Sequence, residues 1–518
     1  MALHRRSGDG SSLSDGEIDR CIGKIRAHKV GGTYWAAQPA VPKTPYTLVR
    51  IADPTQRSAA AKAASGPVIV WPDDGDVDPW HLLGHANRII VDSCDLLALI
   101  AAISELPVQC IGSGRFSSLA SGATEALAEC FRSVMSDGIS YADPFSGAPL
   151  ALSEAIELCG FWRRLVDSNR SISAAIGFGG WKQETAAPLL WAGSTEVRFE
   201  TGRRAFAAGE GVVVWKAKTP AKVLERLEAS GADIFEGEDG FIRSAGLGAD
   251  CVPPLSLVVD RAGIYFDPRR TSDLEKMLQR GEFDPALLDR ARALRALIVE
   301  SGISKYESGG PPLQRKSATK CRVLVPGQVE DDRSVLYGGG PITTNLELLR
   351  RVRDCVGDAH IIYKPHPDVE AGHRGGAITD RIALEIADEV VRDAPISSLI
   401  DLVDEVHVNT SLAGFEALLR GKAVTTYGVP FFAGWGLTTD LGAVPGRRSA
   451  RRSLDELVAA ALLLYPRYLD PVTGLPCPPE VLVRRLSADG TQMPVGALVR
   501  LRRLQGRLKR MASIFWAR

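Results

Sequence analysis

The sequence predicts an α/β protein: two lobes with parallel-type sheets, preceded by a partial module built in the same way. Three observations carry this. Short apolar runs of strand length alternate with segments of helix length and period. The alternation recurs in separate stretches divided by polar, Gly- and Pro-rich chain. No apolar run approaches the roughly 18 to 20 residues that a membrane-spanning helix needs. At 518 residues, 45% hydrophobic and 24% charged, the chain has ordinary globular composition and room for about three domains.

Taken in order, the first fifty residues mix Gly, Ser, Pro and charge, and are expected as a loosely ordered lead-in with one short helix near Ile18–Ala27. Pro67–Trp71 and Arg88–Asp92 read as strands, Asp95–Leu106 as a buried helix and Val108–Ile111 as the next strand. Strand, helix, strand at this spacing is a βαβ unit, hence a parallel sheet. An upstream lobe follows: strand Gly211–Trp215, helix Ala221–Ser230, strand Ile234–Glu236, then strands Leu255–Asp260 and Ile264–Phe266. Asp284 before Pro285 is an N-cap for an amphipathic helix running to Ser301. Beyond a Gly/Pro/Ser/Lys stretch at Ser308–Thr319, strands are expected at Arg322–Pro326, Ala359–Tyr363, Glu405–Asn409 and Ala423–Tyr427. Helices are expected near Asn345–Cys355, Pro395–Leu402 and Ala413–Leu419. A ligand belongs in the cleft between two such lobes.

The chain also repeats itself. Tyr141-Ala-Asp143-Pro144-Phe-Ser146-Gly147-Ala-Pro149 recurs as Tyr468-Leu-Asp470-Pro471-Val-Thr473-Gly474-Leu-Pro476, each after a strand–helix–strand. Val91-Asp92-Ser93-Cys94 matches Val408-Asn409-Thr410-Ser411. Residues from about 60 to 150 therefore read as the tail end of a module whose complete copy lies downstream.

Charge and cysteine content narrow the functional classes. Lys+Arg and Asp+Glu are both 62, which argues against a broadly basic nucleic-acid coat and leaves any electrostatic partner to be met locally. The N-terminus carries two arginines but no apolar core, so no secretory signal is expected. Nine cysteines, none in a CxxC pair, suit reduced thiols in the cytosol. The sequence has no HExxH, GxSxG or GxGxxG, and its histidines show no metal-ligand spacing.

Chemistry-bearing residues cluster just after predicted strands. Glu238-Asp239-Gly240 follows Ile234–Glu236, an acidic pair suited to a base or nucleophile, or else a solvated loop. Arg243 lies nearby, able to meet a substrate carboxylate or to pair with Glu238. Lys364-Pro365-His366-Pro367 follows the next lobe's second strand; it reads as a phosphate-binding Lys and His held by prolines, or as a surface turn. Asn409-Thr410-Ser411 opens a helix, as an anion site or an ordinary cap. Gln328 and Glu330 follow Arg322–Pro326, and the Gly338-Gly339-Gly340 run beyond them reads as a flexible lid or phosphate loop. An acidic pair in one lobe facing a His/Lys pair and hydroxyls in the other suits transfer from a phosphate-activated donor.

Six blocks carry a specific resemblance: Glu238–Ser244, Ile303–Tyr306, Val325–Asp332, Tyr363–Asp368, Thr410–Leu418 and Phe432–Thr438. In this order, across roughly Asp143 to Pro476, they resemble the bacterial capsule polysaccharide biosynthesis (Kps/Lip) family. The resemblance implies two Rossmann-like lobes in a GT-B arrangement. It also implies a retaining β-Kdo glycosyltransferase that uses CMP-Kdo to build an oligo-Kdo linker on phosphatidylglycerol. The acidic, HP and S/T blocks are similar as well to those of bacterial sialyltransferases, whose donor is CMP-sialic acid.

On that resemblance Asp239 is the expected nucleophile or base, with Glu238 beside it, and His366 and Ser411 hold the CMP phosphate. Lys364, Thr410, Gln328 and Glu330 are expected at the donor with them, and Arg243 and Lys305 are expected at the donor carboxylate on charge alone. CMP is a good leaving group, so no metal and no cofactor are expected. The implied division is 1–140 as lead-in and degenerate partial module, 141–315 as acceptor-side lobe with the acidic motif, 316–450 as nucleotide-binding lobe, and 451–518 as a helical, basic tail. The partial module departs from the family: Trp71-Pro72-Asp73-Asp74-Gly75 stands where the later copy has Lys364-Pro365-His366-Pro367, so no catalysis is expected there. Val499–Arg518 carries seven Lys/Arg and no acid, interleaved with Leu, Ile, Phe and Trp. This suits peripheral attachment to the cytoplasmic, inner face of the inner membrane, or a helix packed back on the lobes. The expected partners are CMP-Kdo, a lipid-linked oligo-Kdo or phosphatidylglycerol acceptor, the inner-membrane surface and capsule assembly or export proteins. The rival readings are a non-catalytic assembly or export component of the same fold, and a transferase for another nucleotide sugar.

Overall fold

A computed structural model of the chain describes residues 13–72, 76–242, 252–303, 320–370, 372 and 374–487. Arg243, Lys305, the 308–319 stretch, Asp73–Gly75 and the basic segment Val499–Arg518 lie outside the described residues. The chain divides into two compact units, Met1–Ser173 with Leu190–Val197, and Ala174–Leu189 with Arg198–Arg518. Helix Leu152–Asn169, expected in the acceptor-side lobe, packs with helix Asp15–His28 in the first unit.

The first unit has a four-stranded parallel sheet of β1 (Tyr46–Arg50), β2 (Val68–Val70), β3 (Ala86–Asp92) and β4 (Val108–Ile111), in the order β2-β1-β3-β4. The βαβ reading of its second half holds. The loose lead-in does not: β1 is an inner strand, and Tyr46 and Leu48 are fully buried. Helix Asp15–His28 buries Ile18, Cys21, Ile22 and Ile25 at helical spacing. Each such side chain contributes about 1.5–3 kcal/mol, enough to order a segment whose composition alone reads as polar. At the carboxyl end of this sheet Arg50 lies 4.6 Å over the Trp71 ring and pairs with Asp95 at 2.6 Å. The antiparallel pair β5 (Tyr141–Ala142) and β6 (Pro149–Leu150) follows.

The second unit contains β7 (Ile172–Ile176, entering at Ala174), β8 (Arg198–Glu200), β9 (Gly211–Val214), β10 (Asp233–Asp239) and β11 (Ser256–Asp260). Then come β12 (Arg322–Pro326), β13 (His360–Lys364), β14 (Glu389–Val390), β15 (Glu405–Val408), β16 (Ala423–Thr426), β17 (Thr439–Asp440), β18 (Pro466–Leu469) and β19 (Pro476–Cys477). These build two sheets. One has the order β19-β18-β11-β10-β9-β7-β8 and is mixed: β9 and β10 pair parallel, whereas β10–β11, β11–β18 and β18–β19 pair antiparallel. The other, β14-β13-β12-β15-β16-β17, is entirely parallel. Val323, Leu324 and Val325 are fully buried, as expected of a strand covered on both faces. Ile264–Phe266, expected as a strand, is a turn.

The repeat is visible in three dimensions. The order β13-β12-β15-β16 reproduces β2-β1-β3-β4. The duplicated D-P-x-[ST]-G-x-P segments form the same turn: Asp143 accepts from the Phe145 N–H and the Ser146 hydroxyl, and Asp470 from the Val472 N–H and the Thr473 hydroxyl. Gly147 and Gly474 sit at φ 73° and 69°, which a side chain would resist.

Candidate active site

In the all-parallel sheet the chain runs β12 to β13 and β14 in one direction, then returns to β15 on the other side of β12. The crevice outside the carboxyl ends of β12 and β15 is therefore a topological switch point. Here the Gln328 carboxamide donates to Thr410 Oγ1 at 2.9 Å and accepts the Thr410 N–H at 3.0 Å. Asn345 fixes Gln328 in turn, accepting its N–H at 2.7 Å and donating to its carbonyl at 2.8 Å. Gly327 is required by close approach: a Cβ there would lie 2.8 Å from the Tyr363 hydroxyl and 3.3 Å from the His366 nitrogen.

At the end of β13 the Nδ1 of His366 accepts the Asp368 backbone N–H at 3.1 Å. That bond requires an unprotonated Nδ1, leaving Nε2 as the ring's N–H donor in the neutral imidazole. Lys364 is buried and donates to the Arg392 carbonyl at 3.0 Å. Ser411 precedes helix Ala413–Leu419 and its hydroxyl accepts the Ala413 N–H at 3.3 Å.

In the mixed sheet, Glu238 and Asp239 are the last two residues of β10, not a loop beyond it. Gly240 follows because a Cβ would collide with Ser256 Oγ at 2.5 Å. The Asp239 carboxylate pairs with the Lys182 ammonium at 3.1 Å. That ammonium also lies 3.2 Å from the centre of the Trp215 ring. Deeper in the strand, buried Glu236 binds Lys216 at 2.5 Å and Arg333 of the other lobe at 2.8 Å. Burial works against the Arg333 charge, but its bonds to Tyr337 and Glu236 prevail and raise its pKa.

Both sets of residues line one cavity of about 930 Å3. Glu238, Asp239, Gln328, Lys364, His366, Thr410 and Ser411 all reach it. Glu330 is not among its lining residues: its carboxylate accepts the Asn345 N–H at 2.8 Å, at the start of helix Asn345–Val356. The Gly338–Gly340 run is no lid either. Gly338 and Gly339 are buried at the end of helix Arg333–Gly338, where a Cβ on Gly339 would lie 2.5 Å from the Val335 carbonyl. Sequence reasoning missed Lys182, Trp215, Arg333, Glu416 and the aromatic wall of Tyr265, Phe266 and Phe431. Two of these had a signal: Trp215 directly follows β9, and Lys182 follows the glycine-rich exit from β7, Gly177-Phe178-Gly179-Gly180. Among the described residues no group of three or more His, Cys, Asp or Glu is placed to hold a metal ion.

The family model described as capsule polysaccharide biosynthesis protein matches residues 210–468, half of the chain. The chain is 40% identical over 356 residues to the capsule polysaccharide modification protein LipA of Neisseria meningitidis serogroup B, covering 68% of this chain and 50% of LipA. It is 44% identical over 269 residues to the lipopolysaccharide-processing protein LpsZ of Rhizobium meliloti, covering 51% of this chain and 61% of LpsZ. It thus spans about half the length of the LipA proteins it matches. Among solved structures, Thermosulfurimonas dismutans KpsC, a beta Kdo 2,4 transferase, superposes with a TM-score of 0.53 at 34% identity, covering 61% of this chain and 98% of that one.

Proposed function

The chain belongs to the capsule polysaccharide biosynthesis protein family, and we propose that it is a glycosyltransferase moving Kdo from CMP-Kdo, with retention, onto a lipid-linked capsule primer. The observation that carries this reading is the single cavity lined by Asp239 from one lobe and by His366, Thr410 and Ser411 from the other. Its volume of about 930 Å3 lies within the range of small-molecule sites. The likeness to a Kdo transferase module, at 34% identity over nearly all of that module, supports the sugar.

His366 donates from Nε2 to the donor phosphate, with the Thr410 and Ser411 hydroxyls beside it, and stabilises the charge that grows as CMP leaves. Asp239 attacks the anomeric carbon; the bond to the phosphate oxygen breaks and CMP departs with the electron pair. An acceptor hydroxyl then displaces Asp239 from the glycosyl ester, and Glu238 is proposed to take its proton. Two displacements give net retention, as in retaining glycosidases. Arg243 and Lys305 are proposed for the donor carboxylate. The first unit is proposed to be non-catalytic, because the matching strand ends carry Arg50 and Trp71 stacked together. The acceptor is proposed to be a phosphatidylglycerol or oligo-Kdo lipid at the inner face of the inner membrane, reached through the basic segment Val499–Arg518.

The test is CMP release from CMP-Kdo with a synthetic Kdo acceptor. Release by the native protein and none by D239A supports the reading. Equal inactivity of both, with no CMP binding by calorimetry, favours a non-catalytic assembly component.

A further inference from the structure

Lys182 belongs to none of the motifs that mark the site, yet it makes an ion pair with Asp239. Its ammonium is 3.1 Å from Asp239 Oδ1, 3.2 Å from the centre of the Trp215 ring and 5.1 Å from that of Trp181. The side chain is only 11% exposed, and that face lines the cavity. Both supports are firmly placed. Lys182 sits in the first turn of helix Gly180–Leu189, and Trp215 is tied by its N–H to the Ile176 carbonyl at 2.8 Å at the end of β7.

We propose that Lys182 is a positioning and specificity-determining residue: the shared counter-charge that admits a donor bearing a carboxylate on its anomeric carbon. The inference rests on the reading of Asp239 as the group that attacks that carbon. An attacking oxygen must come within about 3–3.5 Å of it. In a 2-ulosonic acid the same carbon carries a carboxylate, so two anions are brought almost into contact, in a site walled by Tyr265, Phe266 and Phe431 where water screens them poorly. A sugar without that carboxylate raises no such problem. An ammonium already seated against Asp239 and open to the cavity offsets the repulsion. Trp215 keeps the cation in place when Asp239 becomes a neutral ester, because the ring face continues to attract it. Without the tryptophan the lysine would follow whichever anion remained.

The proposal predicts a difference between two ligands that share a nucleotide. In the D239N protein, which removes the nucleophile's charge and blocks turnover, calorimetric titrations are run with CMP and with CMP-Kdo. Adding K182M should leave CMP affinity within about 2-fold and weaken CMP-Kdo at least 10-fold; K182R should restore most of the loss. Retained CMP binding also shows that the variant is folded. Equal affinity for CMP-Kdo with and without Lys182, or an equal loss for both ligands, overturns the proposal. If D239N itself binds neither ligand, the reading of the cavity as a CMP-sugar site fails, and this inference falls with it.

Discussion

Gln328 grips Thr410 from two sides, donating to its hydroxyl at 2.9 Å and accepting its backbone N–H at 3.0 Å. The two residues lie 82 positions apart, on the loops after β12 and β15, and the paired hydrogen bonds set the geometry of the switch-point crevice. Q328A leaves two buried polar groups of Thr410 without this partner, which costs about 1–3 kcal/mol. CMP affinity should fall about 10-fold along with a lowered melting temperature. Unchanged CMP affinity in a destabilised variant would confine Gln328 to a structural role.

His366 is expected to act as a neutral donor. H366Q, which keeps a donor of different reach, should weaken CMP binding by about 1.5–3 kcal/mol, the range of a hydrogen bond to a charged group. A calorimetric affinity equal to that of the native protein would remove His366 from the phosphate site.

The Glu236 carboxylate, 4% exposed, faces Lys216 and Arg333. E236A would leave two cations close together with their shared anion gone. A loss of about 3 kcal/mol is expected in denaturant melts, near the lower end for breaking a buried pair, and R333M should cost less because Glu236 keeps Lys216. Equal costs for the two variants would show that the network is not organised around Glu236.

His407, 1% exposed, lies 3.2 Å from the Tyr427 hydroxyl and 3.3 Å from the Glu405 carboxylate. Burial lowers its pKa below 6.5, outweighing the opposite pull of Glu405. Below about pH 6.5 the unfolded chain takes up a proton that the folded histidine resists. Its contribution is therefore present above that pH and is lost as pH falls towards the lowered folded value. Thermal melts of H407Q should show a shallower decline between about pH 6.5 and 5 than the native protein. Parallel curves would contradict this.

Much of the second parallel sheet was legible, because Arg322–Pro326 and Glu405–Val408 are short apolar runs with chemistry attached to their ends. Helix Ala413–Leu419 and the Asp284 cap were legible for equally local reasons. Tyr46–Arg50 was not: its five residues are flanked by polar chain, and only burial in a sheet reveals them as a strand. The acidic pair was found at the right strand, but the strand was ended too early: β10 continues past Glu236 to Asp239 by pairing with β11. Glu330 was drawn to the site by its neighbours in sequence, whereas its carboxylate turns to Asn345. Lys182 could not be found from charge alone; it meets Trp215 and Asp239 only because the chain segments at the ends of β7, β9 and β10 converge.

The proposed double displacement depends most directly on what forms at Asp239. Mixing the protein with CMP-Kdo in the absence of acceptor, quenching rapidly and mapping peptides by mass spectrometry should show one added Kdo residue on the peptide containing Asp239, with CMP released in equal amount. D239A should show neither. Transfer to acceptor that persists in D239A, or an adduct carried by another residue, would contradict it.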